Sequence, residues 1–179
     1  MSYAKSRLYH EPTVSPGSGT NAPGQQPTIG TIGATLVASF TLNVDAAYRV
    51  FKIPSNFLGN PAVHVHWTKE PGVAGDGNEN GNSVRWRISY GVWRSAPTGL
   101  NGDLNIVPTV IDLDDTYDDA GTTTRIAQRT ANAALVGFVA GYYVGFCVEA
   151  VTPIGTPLTC EPALMSMDLT YDEIILSKS

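Results

Sequence analysis

Two stretches of this chain alternate strictly between residue classes, Val63-His64-Val65-His66-Trp67 and Val84-Arg85-Trp86-Arg87-Ile88-Ser89-Tyr90-Gly91-Val92. A two-residue repeat sends successive side chains to opposite faces, so each stretch reads as a β-strand with one face for a core and one for something else. The two read together as an antiparallel pair. The same pattern recurs elsewhere. Leu36, Ala38, Phe40, Leu42 and Val44 form one face from Thr35 onward, and a strand near Tyr48–Ile53 is stopped by Pro54, with a loop to Pro61. Further strands fall near Leu104–Leu113 and Thr122–Gln128. Two more, at Val139–Val151 and Ala163–Ile174, carry apolar faces of Tyr142, Val144, Phe146 and Val148, and of Met165, Met167, Leu169 and Tyr171. Thr130–Leu135 has the pattern of a short helical turn. About eight antiparallel strands predict an all-β fold, a jelly-roll-like β-sandwich.

Only 15% of the 179 residues are charged, while Gly (18) and Pro (12) are frequent, which suits short strands joined by many turns. A chain of this length sustains a core without disulfide or metal staples, so no cofactor is needed for stability. The net charge of -5 argues against a nucleic-acid partner, because phosphate contacts need clustered Lys and Arg. No apolar run is long enough to span a bilayer, and the first ten residues have no signal-peptide core, so neither a membrane nor a secretory address is expected.

Residues 1–33 differ from the sandwich domain at 34–179: Pro12, Pro16, Pro23 and Pro27 alternate with Gly17, Gly19, Gly24 and Gly30 among polar residues. Such a segment is ordered only against a neighbour. It reads either as a loose terminus or as an extended arm, with Tyr3, Leu8 and Tyr9 as apolar anchors and Lys5 and Arg7 as charged ones on a partner.

His64 and His66 share one strand face, which lets two imidazoles reach one metal ion. His64-X-His66-X-X-X-Glu70, with Gly77 beyond, resembles the first motif of the cupins, with the preceding glycine displaced by one place at Gly59. The resemblance implies a metal held by His64, His66 and Glu70, but the cupin site needs a second-motif histidine, and none follows His66. The competing reading is a packed pair, or one at a subunit contact. Arg85, Arg87 and Trp93 are candidates for the same contact. Asp76–Gly81 matches the first half of a calcium loop, but Arg87 stands where the bidentate Glu belongs, which favours a polar hairpin. Asp112, Asp114, Asp115, Asp118 and Asp119 offer carboxylates for calcium, for a basic partner or for solvent. Trp67, Trp86 and Trp93 raise a sugar-stacking platform; Trp86 lies in core register and Trp93 opposite to it. Cys147 and Cys160 have neither metal-ligand nor disulfide-framework spacing, and Cys147 reads as a buried thiol. No nucleophile–base set or phosphate loop can be assembled.

The segment His64-Val65-His66-Trp67, a Gly/Asn loop, Trp86-Arg87-Ile88-Ser89-Tyr90, and more weakly Leu169-Thr170-Tyr171-Asp172-Glu173 resembles a group of small tailed-phage virion proteins. The resemblance implies a non-enzymatic, homotrimeric structural subunit on the capsid surface, made in the host cytoplasm, that decorates and cements the shell by binding the major capsid protein. Alternatives are a tail-fibre or glycan-binding sandwich module and a cupin-like metalloprotein.

Overall fold

The computed structural model describes residues 3–10, 27–32, 35–70, 79–94, 107–118 and 126–174. Of residues 3–10, only the main chain is described. Among the described residues, eleven strands run in chain order: β1 (Tyr3–His10), β2 (Thr28–Ile32), β3 (Thr35–Ser39), β4 (Ala46–Lys52), β5 (Phe57–Lys69), β6 (Ser83–Trp93), β7 (Thr109–Thr116), β8 (Gln128–Arg129), β9 (Ala133–Ala134), β10 (Tyr143–Val151) and β11 (Pro162–Ile174). They form an antiparallel β-sandwich. One sheet has seven strands in the order β2-β3-β11-β5-β8, with β1 also on β11 and β9 also on β5; the other has four, β4-β10-β6-β7. The chain passes repeatedly between the sheets, as in a jelly roll.

The core lies between them. Val63, Val65 and Trp67 of β5, with Leu164, Met167, Leu169 and Tyr171 of β11, meet Val84, Trp86, Ile88 and Tyr90 of β6 and Val144, Phe146, Val148 and Ala150 of β10. Trp67 and Trp86 touch across the gap, with ring centroids 6.4 Å apart, and Phe40 stands edge-on to Trp86 at 5.4 Å. The indole Nε1 of Trp67 donates to Asp115 at 2.7 Å, so one side chain fills the core and ties β5 to β7.

The alternation in β6 and β10 survives intact, because both strands pair without a register shift. Elsewhere the turns redraw the boundaries. The strand begun at Thr35 ends at Ser39, and Leu36 is exposed while Val37 is buried. Asn43, at φ 60, closes the turn there, helped by Asp45, which accepts the Thr41 amide. The stretch after Pro54 is not a loop throughout: β5 starts at Phe57 and runs through Pro61. Asn60 adopts φ 52, and the pairing with β11 shifts register between Thr170 and Asp172 and again between Asp172 and Glu173. A bulged strand tolerates the proline that a regular ladder would reject. The turn expected at Thr130–Leu135 is not helical. Ala133 and Ala134 pair with Val63 and Ala62, and the Leu135 amide reaches the Pro61 carbonyl.

Residues 1–33, expected as an arm outside the sandwich, contribute two strands to the larger sheet. β2 forms a hairpin with β3, and β1 pairs along β11 from Tyr3↔Ile174 to His10↔Met167. Main-chain pairing supplies the order that side-chain composition alone does not. The side chains of Tyr3, Lys5, Arg7, Leu8 and Tyr9, the segment 11–26, the turn at Pro97–Gly99, most of the Asp76–Gly81 loop, Asp119 and the first part of the Thr122–Gln128 strand lie outside the described residues.

Glu79 survives from that loop as a buried structural group. Its carboxylate accepts hydrogen bonds from the Thr159 hydroxyl, the Thr159 amide (3.1 Å) and Asn82 Nδ2 (2.7 Å). Burial pushes its pKa up, but these bonds and the Lys69 charge outweigh it and hold the group below its ordinary 4.5. Lys69 is itself fully buried, its Nζ 5.3 Å from the Tyr117 ring centroid. A carboxylate depressed in the folded state adds stability that is complete above the unfolded value and is lost as pH falls through the folded one. Glu79→Gln is therefore expected to cost about 2 kcal/mol at neutral pH, because it weakens the charge-assisted bonds that Thr159 and Asn82 donate to the carboxylate. It should also flatten the acid limb of the stability curve, as read by urea denaturation between neutral pH and the acid transition.

Candidate functional site

The pairing of β5 with β11 builds the most distinctive polar cluster. Trp67 pairs with Leu164, but His66 then pairs with Ser166, Val65 with Met167, His64 with Asp168 and Val63 with Leu169. Met165 is the extra residue of a β-bulge. It changes which parity of β11 faces the core, from Leu164 before it to Met167, Leu169 and Tyr171 after it. Met165, expected in the core face, is consequently absent from the buried cluster. Without the bulge, Asp168 would share the inner face with Val63. With it, Asp168 joins His64 and His66 on the outer face of the sheet.

The three side chains converge on a point. His64 Nε2 lies 3.2 Å from His66 Nε2, and Asp168 Oδ2 lies 3.3 Å from the first and 3.4 Å from the second. His64 and Asp168 are buried, whereas the His66 side chain keeps 32% of its surface exposed, so the cluster opens to solvent on one side. Ser166 Oγ donates to the other carboxylate oxygen of Asp168 at 3.3 Å. Burial holds His64 below its ordinary 6.5, and the Arg129 guanidinium acts in the same direction against the attraction of Asp168. The neutral imidazole, the form that coordinates metals, is thereby favoured. His64 Nδ1 has no hydrogen-bond partner among the described residues, so the ring makes its polar contacts at Nε2.

Glu70, the expected third ligand, does not join them. It lies beyond the end of β5, about 13 Å along the strand direction from His66, where its amide bonds to the Glu161 carbonyl. Nothing local in the sequence marks Asp168 as a member of the cluster. Its alternation with Met167 and Leu169 places it on an outward face, but only the register with β5 sets it opposite His64.

Arg85, Arg87 and Trp93 lie on the outer face of the smaller sheet. Arg85 makes a two-pronged bond to Asp114 (2.8 and 2.8 Å), and Arg87 makes one to Asp112 (2.9 and 3.0 Å), across the β6–β7 pair. The bond from Arg87 holds Asp112 below the usual carboxylate range. With Asp115 bonded to Trp67, the three acidic residues of β7 are each spent on a cross-strand or core contact. Trp67 and Trp86 are core; Trp93 alone of the three lies on the outer face. Its ring packs over Gly145, where an added Cβ would meet it at 3.1 Å, and stacks with Tyr143 at 6.1 Å.

Beside it runs an open, largely apolar groove of about 440 Å³ lined by Tyr48, Val50, Trp93, Pro108, Gly145 and Cys147. Neither Cys147 nor Cys160 is in a disulfide, and both are only partly buried. Burial pushes the Cys147 thiol up to about 11 and the Tyr48 hydroxyl to about 12.

No protein-family model and no curated protein matches the chain. Among solved structures, dimeric latent PorU from Porphyromonas gingivalis aligns with a TM-score of 0.44 at 11% identity, over 97% of this chain and 13% of that one. An exo-β-1,3-galactanase from Phanerochaete chrysosporium aligns at 0.40 and 14% identity, over 92% of this chain and 29% of that one. The chain thus spans less than a third of either. No helix among the described residues is long and apolar enough to cross a membrane.

A thiol with a raised pKa is a poor nucleophile at neutral pH. Alkylation of Cys147, followed by peptide mass spectrometry, is expected to be slow at pH 7.5 and to accelerate as pH rises toward 11. Rapid labelling at neutral pH would mean that the groove does not shield the sulfur.

Proposed function

We propose that this protein is a non-enzymatic structural subunit of a tailed-phage virion, a decoration or cement protein that binds the major capsid protein at the capsid surface as a homotrimer. One observation carries most of the support: the three stretches of phage-like sequence are one packed unit. His64–Trp67 lies in β5, Leu169–Glu173 lies in the adjacent β11, and Trp86–Tyr90 lies in β6 directly across the core. Motifs that share a core in this way belong to the body of a domain, which suits a resemblance of whole subunits.

The position of β1 also supports an adhesive role. It docks through main-chain bonds along one edge of β11, and the same bonds are open to β11 of a neighbouring copy, so the first strand can serve one subunit or bridge two. Lys5, Arg7 and the aromatic residues of that strand would then meet sister or capsid surface. The outer face of the smaller sheet, with Trp93 and the groove, is the natural second contact. Arg85 and Arg87 there are already paired with Asp114 and Asp112, and burying pre-paired ions with an apolar groove costs less than burying bare charge.

Mass spectrometry of purified virions should find this chain in many copies, and native mass measurement should give a trimer. A monomer missing from assembled particles defeats the proposal. The packing of Trp93 on Gly145 beside an open groove favours a second reading, a glycan-binding module of a tail fibre. A glycan array separates the two, because a tail-fibre module should give saturable binding that Trp93→Ala abolishes, and a capsid subunit should give none.

A further inference from the structure

We propose that His64, His66 and Asp168 bind a divalent first-row transition ion, with zinc the best match, and that the ion clamps β5 to β11. Zinc sits about 2.1 Å from imidazole nitrogen and carboxylate oxygen, so two of its ligand atoms stand about 3.0 Å apart at a right angle and about 3.4 Å apart at the tetrahedral angle. The three separations here, 3.2, 3.3 and 3.4 Å, all fall within that interval. The rings agree with the atoms. An ion in line with both imidazoles at that bond length, with the nitrogens 3.2 Å apart, sets the ring centroids about 5 Å apart, and they are 5.0 Å apart with planes at 73°.

Direct hydrogen bonding explains the cluster less well. Charge-assisted bonds to a carboxylate run at about 2.7–2.9 Å, whereas both histidine contacts to Asp168 are longer. With both Nε2 atoms protonated, the two hydrogens would crowd at the 3.2 Å nitrogen–nitrogen contact; with one ring donating to the other, the accepting ring would turn a bare lone pair toward the carboxylate oxygen. A cation between them removes the conflict and neutralises a carboxylate that is 1% exposed. Two imidazoles and one carboxylate select zinc, iron or nickel over calcium or magnesium, which demand oxygen shells. The exposed side of His66 is the route of entry and leaves room for water to complete the shell.

The site does not depend on the virion reading, and its test is binding rather than assembly. Full-length protein stripped with chelator is titrated with zinc by calorimetry and with cobalt by visible absorption. One ion per chain, cobalt bands of low-symmetry coordination and a raised thermal midpoint are expected, with no heat from calcium. His66→Ala, at the half-exposed position, should fold normally by circular dichroism and weaken binding roughly 100-fold or more. Asp168→Asn should do the same, and Glu70→Gln should bind like the wild type. Wild-type binding weaker than about 1 mM, or an affinity that His66→Ala leaves unchanged, overturns the proposal. If Asp168→Asn does not fold, the His66 variant alone decides.

Discussion

The pairing of β5 with β11 is the contact on which the rest of the molecule depends. These are the two longest strands, and β11 holds β5 along one edge while β3 and β1 take successive stretches of the other. The bulge at Met165 sets which residues face inward along most of that ladder. Because a one-residue slip reverses the facing of every side chain beyond it, the single inserted residue determines both a wall of the core and the polar cluster behind it. The inner product is Met167, Leu169 and Tyr171 packed with Val63 and Val65; the outer product is Asp168 set against two histidines.

The two faces of β5 then do separate work. Inward, Trp67 meets Trp86 and sends its indole nitrogen to Asp115, so the sheets are joined by both packing and a polar tie. Outward, His64 and His66 hold a buried carboxylate. A sheet face that packs on nothing else among the described strands is where a protein of this architecture can place a site without disturbing its core. The smaller sheet is arranged differently: its outer face is quieted by paired Arg and Asp side chains at one end and left apolar at the other, a division suited to contact with another surface.

Much of the fold is legible in the chain because alternation is a local signal. The faces of β6 and β10 follow from single stretches, as do the burial of Trp86 and the outward position of Trp93. What fails does so at backbone irregularities. Asn43 ends β3 early, Asn60 carries β5 through Pro61, and Met165 interrupts β11; each turns on a dihedral or a partner strand that no short window contains. The same reason explains the third member of the cluster. Glu70 is near the histidines in sequence and Asp168 is about a hundred residues away, yet in space the order is reversed.

The chain by itself determined the all-β class, the two-faced strands and the presence of a histidine pair on one face, because these need only a period of two and the chemistry of each residue. Tertiary structure alone decided that Asp168 completes that pair, that Asp114 and Asp112 are answered by Arg85 and Arg87, and that Tyr3–His10 extends the larger sheet. Those outcomes depend on register between strands far apart in sequence, and register is set by the sum of core packing and bulges across the whole sheet rather than by any local pattern.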